Sequence, residues 1–350
     1  MKGKQLRKAV LLGMAMSMVV WTTSMAETPV GPITESYNEN NKVTQGDVRV
    51  ENGTESASIQ IGHENTQGDV IVNIKTDANG VENGDILLDS DQYGIRTENE
   101  STGTIQLDAA GNNTISFADG SGISADSHVD INLTAVGANT IKYTGTGIDH
   151  DGINAGAGNT GSIVLKGAKN EIEVLGNDSD GIYTDEDSTS DEIMTATDGD
   201  NTITAGNNGI DHRGSGDVIL NAENGGNIIH AGEGQTEMEG DGIRIAGEGD
   251  VTLNAQYNKI TGHDEGIYVA EGADTQVDIT ATGEIGNIIQ GNDNGIEVVG
   301  TGMINITAEN GTNKIIGGQN GVYASGNASK ITVQGKENTI MVNCKMNLNR

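Results

Sequence analysis

Two short runs are the places where this sequence could do chemistry. Gly147-Ile148-Asp149-His150, extended by Asp151, and Gly209-Ile210-Asp211-His212, extended by Arg213, each set an imidazole beside carboxylates, and His263-Asp264 adds a third pair. Paired carboxylates at a defined separation could cleave a glycosidic bond. Carboxylate-bound Ca²⁺ with a basic residue to take a proton could run a lyase. The turns Asn177-Asp178-Ser179-Asp180, Asp185-Glu186-Asp187 and Asp198-Gly199-Asp200 offer oxygen ligands to a hard cation. None has the EF-hand spacing or the Gly-Gly-x-Gly-x-Asp nonapeptide. The expectation is therefore no cofactor, with at most weak surface Ca²⁺. The six histidines, His63, His128, His150, His212, His230 and His263, show no paired spacing for a transition metal.

These residues are positioned by an internal repeat. From residue 94 nine units each open with Gly-Ile or Gly-Val: Gly94-Ile95, Gly122-Ile123, Gly147-Ile148, Gly181-Ile182, Gly209-Ile210, Gly242-Ile243, Gly266-Ile267, Gly295-Ile296 and Gly321-Val322. Their mean spacing is about 28 residues, inside the solenoid range. The middle of each unit alternates apolar and polar residues, as in Ile105-x-Leu107-x-Ala109, Val218-x-Leu220-x-Ala222 and Val251-x-Leu253-x-Ala255. Period two marks a strand with one buried face. The fourth unit departs from it, with Ile193-x-Thr195-x-Thr197 as the expected frame. Asn-x-Ile then follows in every unit, at Asn113, Asn139, Asn170, Asn201, Asn227, Asn258, Asn287, Asn313 and Asn338. Stacked at strand spacing, these side chains would form an amide ladder.

Three short strands per unit predict an all-β fold, a right-handed parallel β-helix of about nine regular coils plus one or two irregular N-terminal ones. The irregular strands are expected near Val48-x-Val50, Ile59-x-Ile61, Val70-x-Val72 and Ile86-x-Leu88. Composition agrees with that architecture. The chain has 350 residues with 52 Gly, 2 Pro, 3% aromatics and a net charge of -32, too few aromatics for a conventional core. Its regularly spaced aliphatics argue against disorder, and its glycines lack the collagen period.

Lys2, Lys4, Arg7 and Lys8, the apolar run Ala9 to Val20 and then Ser24-Met25-Ala26 have the form of a secretory signal, with cleavage expected after Ala26. Residues 1–26 contain four of the 19 basic residues and none of the 51 acids, so the remainder carries -36. Such a surface repels phosphate backbones and anionic headgroups, so neither nucleic acid nor membrane insertion is expected. Cys344, the single cysteine, leaves no internal disulfide. The expected organisation is a signal at 1–26, an N-terminal cap with irregular first coils at 27–93, the repeat β-helix at 94–342 and a non-repeat tail at 343–350.

An export signal followed by Gly-Ile, Val-x-Leu-x-Ala and Asn-x-Ile copies resembles the passenger domain of an autotransporter adhesin of Gram-negative bacteria. The resemblance covers about residues 27–342 and rests on repeat style. It implies a β-helix at the cell surface or in the medium, delivered by a C-terminal outer-membrane barrel. A barrel needs many alternating strands with aromatic girdles, whereas twelve residues follow Asn338 and the tail abandons the repeat, which reads as a truncation.

The residue after each Gly-Ile should face outward. That row is Arg96, Ser124, Asp149, Tyr183, Asp211, Arg244, Tyr268, Glu297 and Tyr323, a variable line beside an invariant one. Arg96, Tyr183, Arg244, Tyr268 and Tyr323 are its candidate ligand-binding residues, because exposed Tyr can stack on sugars or anchor a protein contact. The expected function is a non-catalytic adhesin-type rod that binds a host or neighbouring-cell surface protein or glycan. A carbohydrate-active β-helix enzyme and a structural spacer are the alternatives.

Overall fold

The computed structural model describes residues 28–30, 48–51, 57–61, 70–74, 84–98, 101–233, 240–325 and 329–343. Residues 1–26, where a secretory signal is expected, and the tail from Cys344 lie outside them. The described residues form a parallel β-solenoid without helix, of about nine turns at roughly 27-residue spacing. Each coil contributes a Gly-Ile strand, a middle strand and an Asn strand. The Gly-Ile strands make a ten-stranded sheet, and the other two sets make a seventeen-stranded one. From Val218–His230 onward the middle and Asn strands run together as one long strand bent at a corner.

Register explains the repeat chemistry. In the Gly-Ile stack Ile123, Ile153, Ile182, Ile210, Ile243, Ile267 and Ile296 stand one above another, all buried. Ile105, Ile131 and Ile163 do the same in the middle stack, and Ile141, Ile172 and Ile203 in the Asn stack. Burying each such side chain contributes about 1.5–3 kcal/mol, so aliphatic rungs substitute for an aromatic core. The Gly-Ile stack begins one coil before the first Gly-Ile: Ile59 lies in register with Ile95, although its strand carries no glycine.

The asparagines form one continuous line. Each Nδ2 donates to the Oδ1 of the next coil, from Asn113 through Asn139, Asn170, Asn201, Asn227, Asn258, Asn287 and Asn313 to Asn338, at 2.7–2.9 Å. Several also donate to the carbonyls that close the corner, as Asn201 does to Asn221 at 2.9 Å. Buried amides are thereby paired within the interior. The line starts at Asn113, whose register partner in the preceding coil is Ile86 and whose Oδ1 accepts no hydrogen bond.

Two sequence frames are corrected. In the fourth unit the inward residues are Glu192, Met194 and Ala196, level with Val218, Leu220 and Ala222, and Ile193 faces outward. Strand register is all or nothing, because a slip of one residue turns every side chain over. Matching Met194 and Ala196 to their neighbours therefore carries Glu192 inward. The third unit enters the stack at Gly152-Ile153, not at Gly147-Ile148. Ile148 is 60% exposed and makes only an isolated bridge to Asn177.

Candidate functional site: the outward row of the Gly-Ile stack

Glycine sets this row in place. A Cβ at Gly181 would stand 2.2 Å from Cγ2 of Ile203 and 2.5 Å from the Gly209 carbonyl oxygen, and Gly94, Gly122, Gly152, Gly209 and Gly242 meet equivalent isoleucines and glycines. Only a residue without Cβ lets the Gly-Ile strand close on the Asn-x-Ile strand of its own coil. Gly147 faces the His150 ring instead, which is why its Ile cannot enter the stack. The bulge it belongs to is filled by rings: Phe117, Tyr143 and His150 stack in sequence at 5.4 and 5.0 Å.

The row that results reads Arg96, Ser124, Asn154, Tyr183, Asp211, Arg244, Tyr268, Glu297 and Tyr323 in unbroken register. Asn154 replaces Asp149, which lies in the bulge at φ 64°. The charged members engage one another. Asp211, only 1% exposed, accepts from Arg213 Nη2 at 2.7 Å and Nε at 3.2 Å, and from Arg244 Nη1 at 3.1 Å. The Arg213 guanidinium lies 5.1 Å from the Tyr183 ring centroid, within cation–π range. Arg96 pairs with Glu98 and stacks 4.6 Å over Tyr93. Tyr268 is half-buried, and Tyr323, at the far end, is exposed. Burial raises the phenols of Tyr183 and Tyr268, with Glu297 adding to the second, so both rings present neutral hydroxyls.

Directly behind the row runs a second polar ladder that the repeat reading passed over. The residue before each glycine, Asp151, Asp180, Asn208, Asp241 or Glu265, is buried at the corner. Asp151 accepts from the Asp180 backbone N–H at 3.0 Å, Asp180 from Asn208 at 2.8 Å, Asn208 from Asp241 at 2.9 Å and Asp241 from Glu265 at 3.1 Å. In the sequence this ladder reads Asp-Gly-Ile, Asn-Gly-Ile and Glu-Gly-Ile, one residue upstream of each Gly-Ile pair. Burial pushes the Asp151 carboxyl up to about 7 and Asp241 up to about 6. Burial and the neighbouring Asp151 hold Asp180 well above the usual range. Burial and Asp241 take Glu265 to about 9. Asp241, Asp264 and Glu265 bring one carboxylate oxygen each within 4.8 Å of one another, an all-oxygen donor set of the kind hard cations take.

The two Gly-Ile-Asp-His copies prove inequivalent. His212 occupies the inward position of its strand, level with Thr184 and Ile245, and its Nδ1 lies 2.7 Å from the Thr184 hydroxyl. Burial lowers its pKa. His150 lies in the corner before Gly152, where its Nε2 faces Asp119 at 3.5 Å. The two runs are alike in sequence but differ in place, because the third unit enters the stack at Gly152-Ile153 and leaves Asp149-His150 in the corner before it. In the turn Asn177 to Asp180, Ser179 accepts from the His150 backbone N–H at 3.0 Å and Asp180 belongs to the corner ladder. These oxygens tie coils together.

No protein-family profile, curated protein or solved structure matches this chain.

Proposed function

We propose that this chain is an exported, non-catalytic β-helix of the adhesin type, akin to an autotransporter passenger, whose outward Gly-Ile row binds a host or neighbouring-cell surface protein or glycan. The observation that carries the reading is a line of nine side chains, changing in type from coil to coil, each directly after a buried Ile or Val that scarcely changes. A recognition surface needs outward positions that are free to vary, and this row supplies them beside a constant aliphatic rung. Tyr268 and the exposed Tyr323 supply flat amphipathic area suited to sugars and protein contacts. Glycan-array and cell-binding assays test it: Tyr268→Ala with Tyr323→Ala should weaken retention at least tenfold, about 1.4 kcal/mol. Unchanged binding by this double variant would leave the rod as a spacer.

A second reading rests on the buried carboxyls Asp151 and Asp180, both raised first by burial and then by neighbouring acids, Asp211 among them. Paired carboxyls with separated proton affinities are the equipment of glycoside cleavage. Turnover of acidic or neutral polysaccharides by the purified chain, abolished in Asp211→Ala, would replace the adhesin reading with an enzyme.

A further inference from the structure

Two cations share one acid in the middle of the outward row. Arg96 pairs with Glu98, Lys142 with Glu173 and Lys169 with Glu171, one to one. Asp211 alone among the described residues takes two, Arg213 and Arg244. One positive charge is left over there, on a chain that carries -32. Asp211 Oδ2 accepts from Arg213 Nη2 at 2.7 Å and from Arg244 Nη1 at 3.1 Å, so these two nitrogens stand less than about 6 Å apart. The carboxylate beneath them is 1% exposed, whereas Arg213 and Arg244 keep 34% and 31% of their side-chain surface in water. Arg213 Nη1 and Arg244 Nε and Nη2 have no acceptor among the described residues, and all three reach solvent.

A tyrosine flanks the pair on each side. Tyr183, Asp211, Arg244 and Tyr268 occupy four successive coils in register, about 14 Å along the rod at strand spacing. The Tyr183 ring already engages Arg213, with 5.1 Å from its centroid to the guanidinium, while Tyr268 is half-buried and has no ring partner among the described residues. Nearby acids leave the excess cation standing. Asp185 turns its Oδ2 to the Tyr183 hydroxyl at 3.5 Å and makes no ion pair with Arg213. Glu297, one coil beyond Tyr268, accepts from Asn294. Of the corner carboxyls behind the row, burial favours the neutral forms of Asp180 and Glu265. Charges more than about 8 Å away are largely screened at physiological salt, so an arriving anion meets the two guanidiniums before it meets the charge of the whole chain.

We propose that Arg213 and Arg244 bind the carboxylate of an acidic sugar, uronic or sialic in type, whose ring lies against Tyr268. This rests on the binding role proposed above for the outward row and adds the chemistry of its ligand. Guanidinium is the donor group whose planar fork matches a carboxylate, and its charge shortens and strengthens the hydrogen bonds it gives. Asp211 holds both forks in place before a ligand arrives, so little side-chain freedom remains to be lost on binding. Tyr268 adds a flat face for the C–H side of a pyranose ring and a hydroxyl for its polar edge. An uncharged sugar has the tyrosine to stack on but gives the guanidiniums nothing to neutralise.

The test is calorimetry on the chain from Glu27 onward with sialyllactose and with trigalacturonic acid, each against its uncharged partner, lactose and the methyl-esterified trimer. At least one acid should bind at least about tenfold more tightly than its partner. Arg213→Gln and Arg244→Gln should each erase most of that preference, with circular dichroism showing the β-solenoid intact, since each leaves Asp211 one guanidinium. Lys142→Gln changes the net charge equally on another stack and should leave the preference as it was. Failure of both acids to bind better than their partners, or a Lys142→Gln loss as large as that of Arg244→Gln, would overturn the proposal. Cell binding that depends on Tyr268 and Tyr323 without any preference for the acids would overturn it and leave the adhesin reading in place. Absence of both cell and sugar binding would remove the two together.

Discussion

Gly181 and Ile203 lie at opposite ends of one coil, yet a Cβ on the first would reach within 2.2 Å of Cγ2 of the second. The close approach links the two most regular motifs of the sequence: Gly-Ile recurs because Asn-x-Ile recurs. Gly181→Ala must therefore push the strands apart, and overpacking of this kind costs about 1–3 kcal/mol. Gly199→Ala is the control, since its Cβ would meet nothing closer than 3.3 Å. Urea unfolding midpoints should fall clearly for the first and hardly move for the second. Equal shifts would mean that glycine serves only chain flexibility.

Glu192 is a carboxyl in an aliphatic rung. It lies between Ile163 and Val218, its Oε1 takes a hydrogen bond from the Ser190 hydroxyl, and its Oε2 has none. Burial pushes its pKa up to about 8. Folding then binds a proton that the unfolded chain releases above the ordinary carboxylate range. The group's contribution is complete in acid, declines as pH climbs, and is lost once pH passes about 8. Glu192→Val should raise the thermal midpoint at pH 9 more than at pH 5. A gain independent of pH would show that the carboxyl is already ionised when folded.

The corner ladder makes the same demand on a larger scale. Asp151, raised to about 7, and Asp241, raised to about 6, also hold protons in the folded chain that the unfolded one gives up. Stability should therefore fall from pH 5 to pH 8 as these protons are lost. Asn208 already fills an equivalent position with an amide that accepts the same backbone bond. Asp151→Asn and Asp241→Asn together should fold and flatten that pH profile. A profile as steep as that of the unaltered chain would place the proton uptake elsewhere.

Asn201 accepts from Asn170 and donates to Asn227, to the Asn221 carbonyl and, at 3.4 Å, to the Met194 carbonyl. Asn201→Ala strands buried donors and acceptors on both sides, and each unsatisfied group costs about 1–3 kcal/mol. The loss should exceed 2 kcal/mol in denaturant unfolding, an order-of-magnitude expectation from the same penalty. Asn113→Ala, at the open start of the line, should cost less. A reversed order would separate stability from the ladder.

Asp211, itself nearly solvent-free, sets one carboxylate against two guanidiniums. Removing one partner of a buried charge group costs about 3–5 kcal/mol, lessened here because Arg213 and Arg244 keep about a third of their surface in water. Asp211→Ala should therefore lower the midpoint and release the Arg213 contact with Tyr183. Tyrosine fluorescence during unfolding reads both.

By itself the sequence determined the solenoid. Gly-Ile, the alternating middle strand and Asn-x-Ile recur often enough that their periods specify strand, face and corner, since stacking repeats a local pattern without reference to distant parts of the chain. Tertiary structure decided what repetition alone leaves open. Two Gly-Ile pairs compete in the third unit, and only Gly152 packs against the isoleucine of its own coil. Two frames compete in the fourth, and register with Leu220 and Ala222 turns Glu192 inward. The corner carboxylates are chemically unremarkable along the chain, because a carboxyl's proton affinity depends on burial and on which acid stands one coil away. Asp180 comes to face Asp151 across 29 residues only once the coil between them has closed.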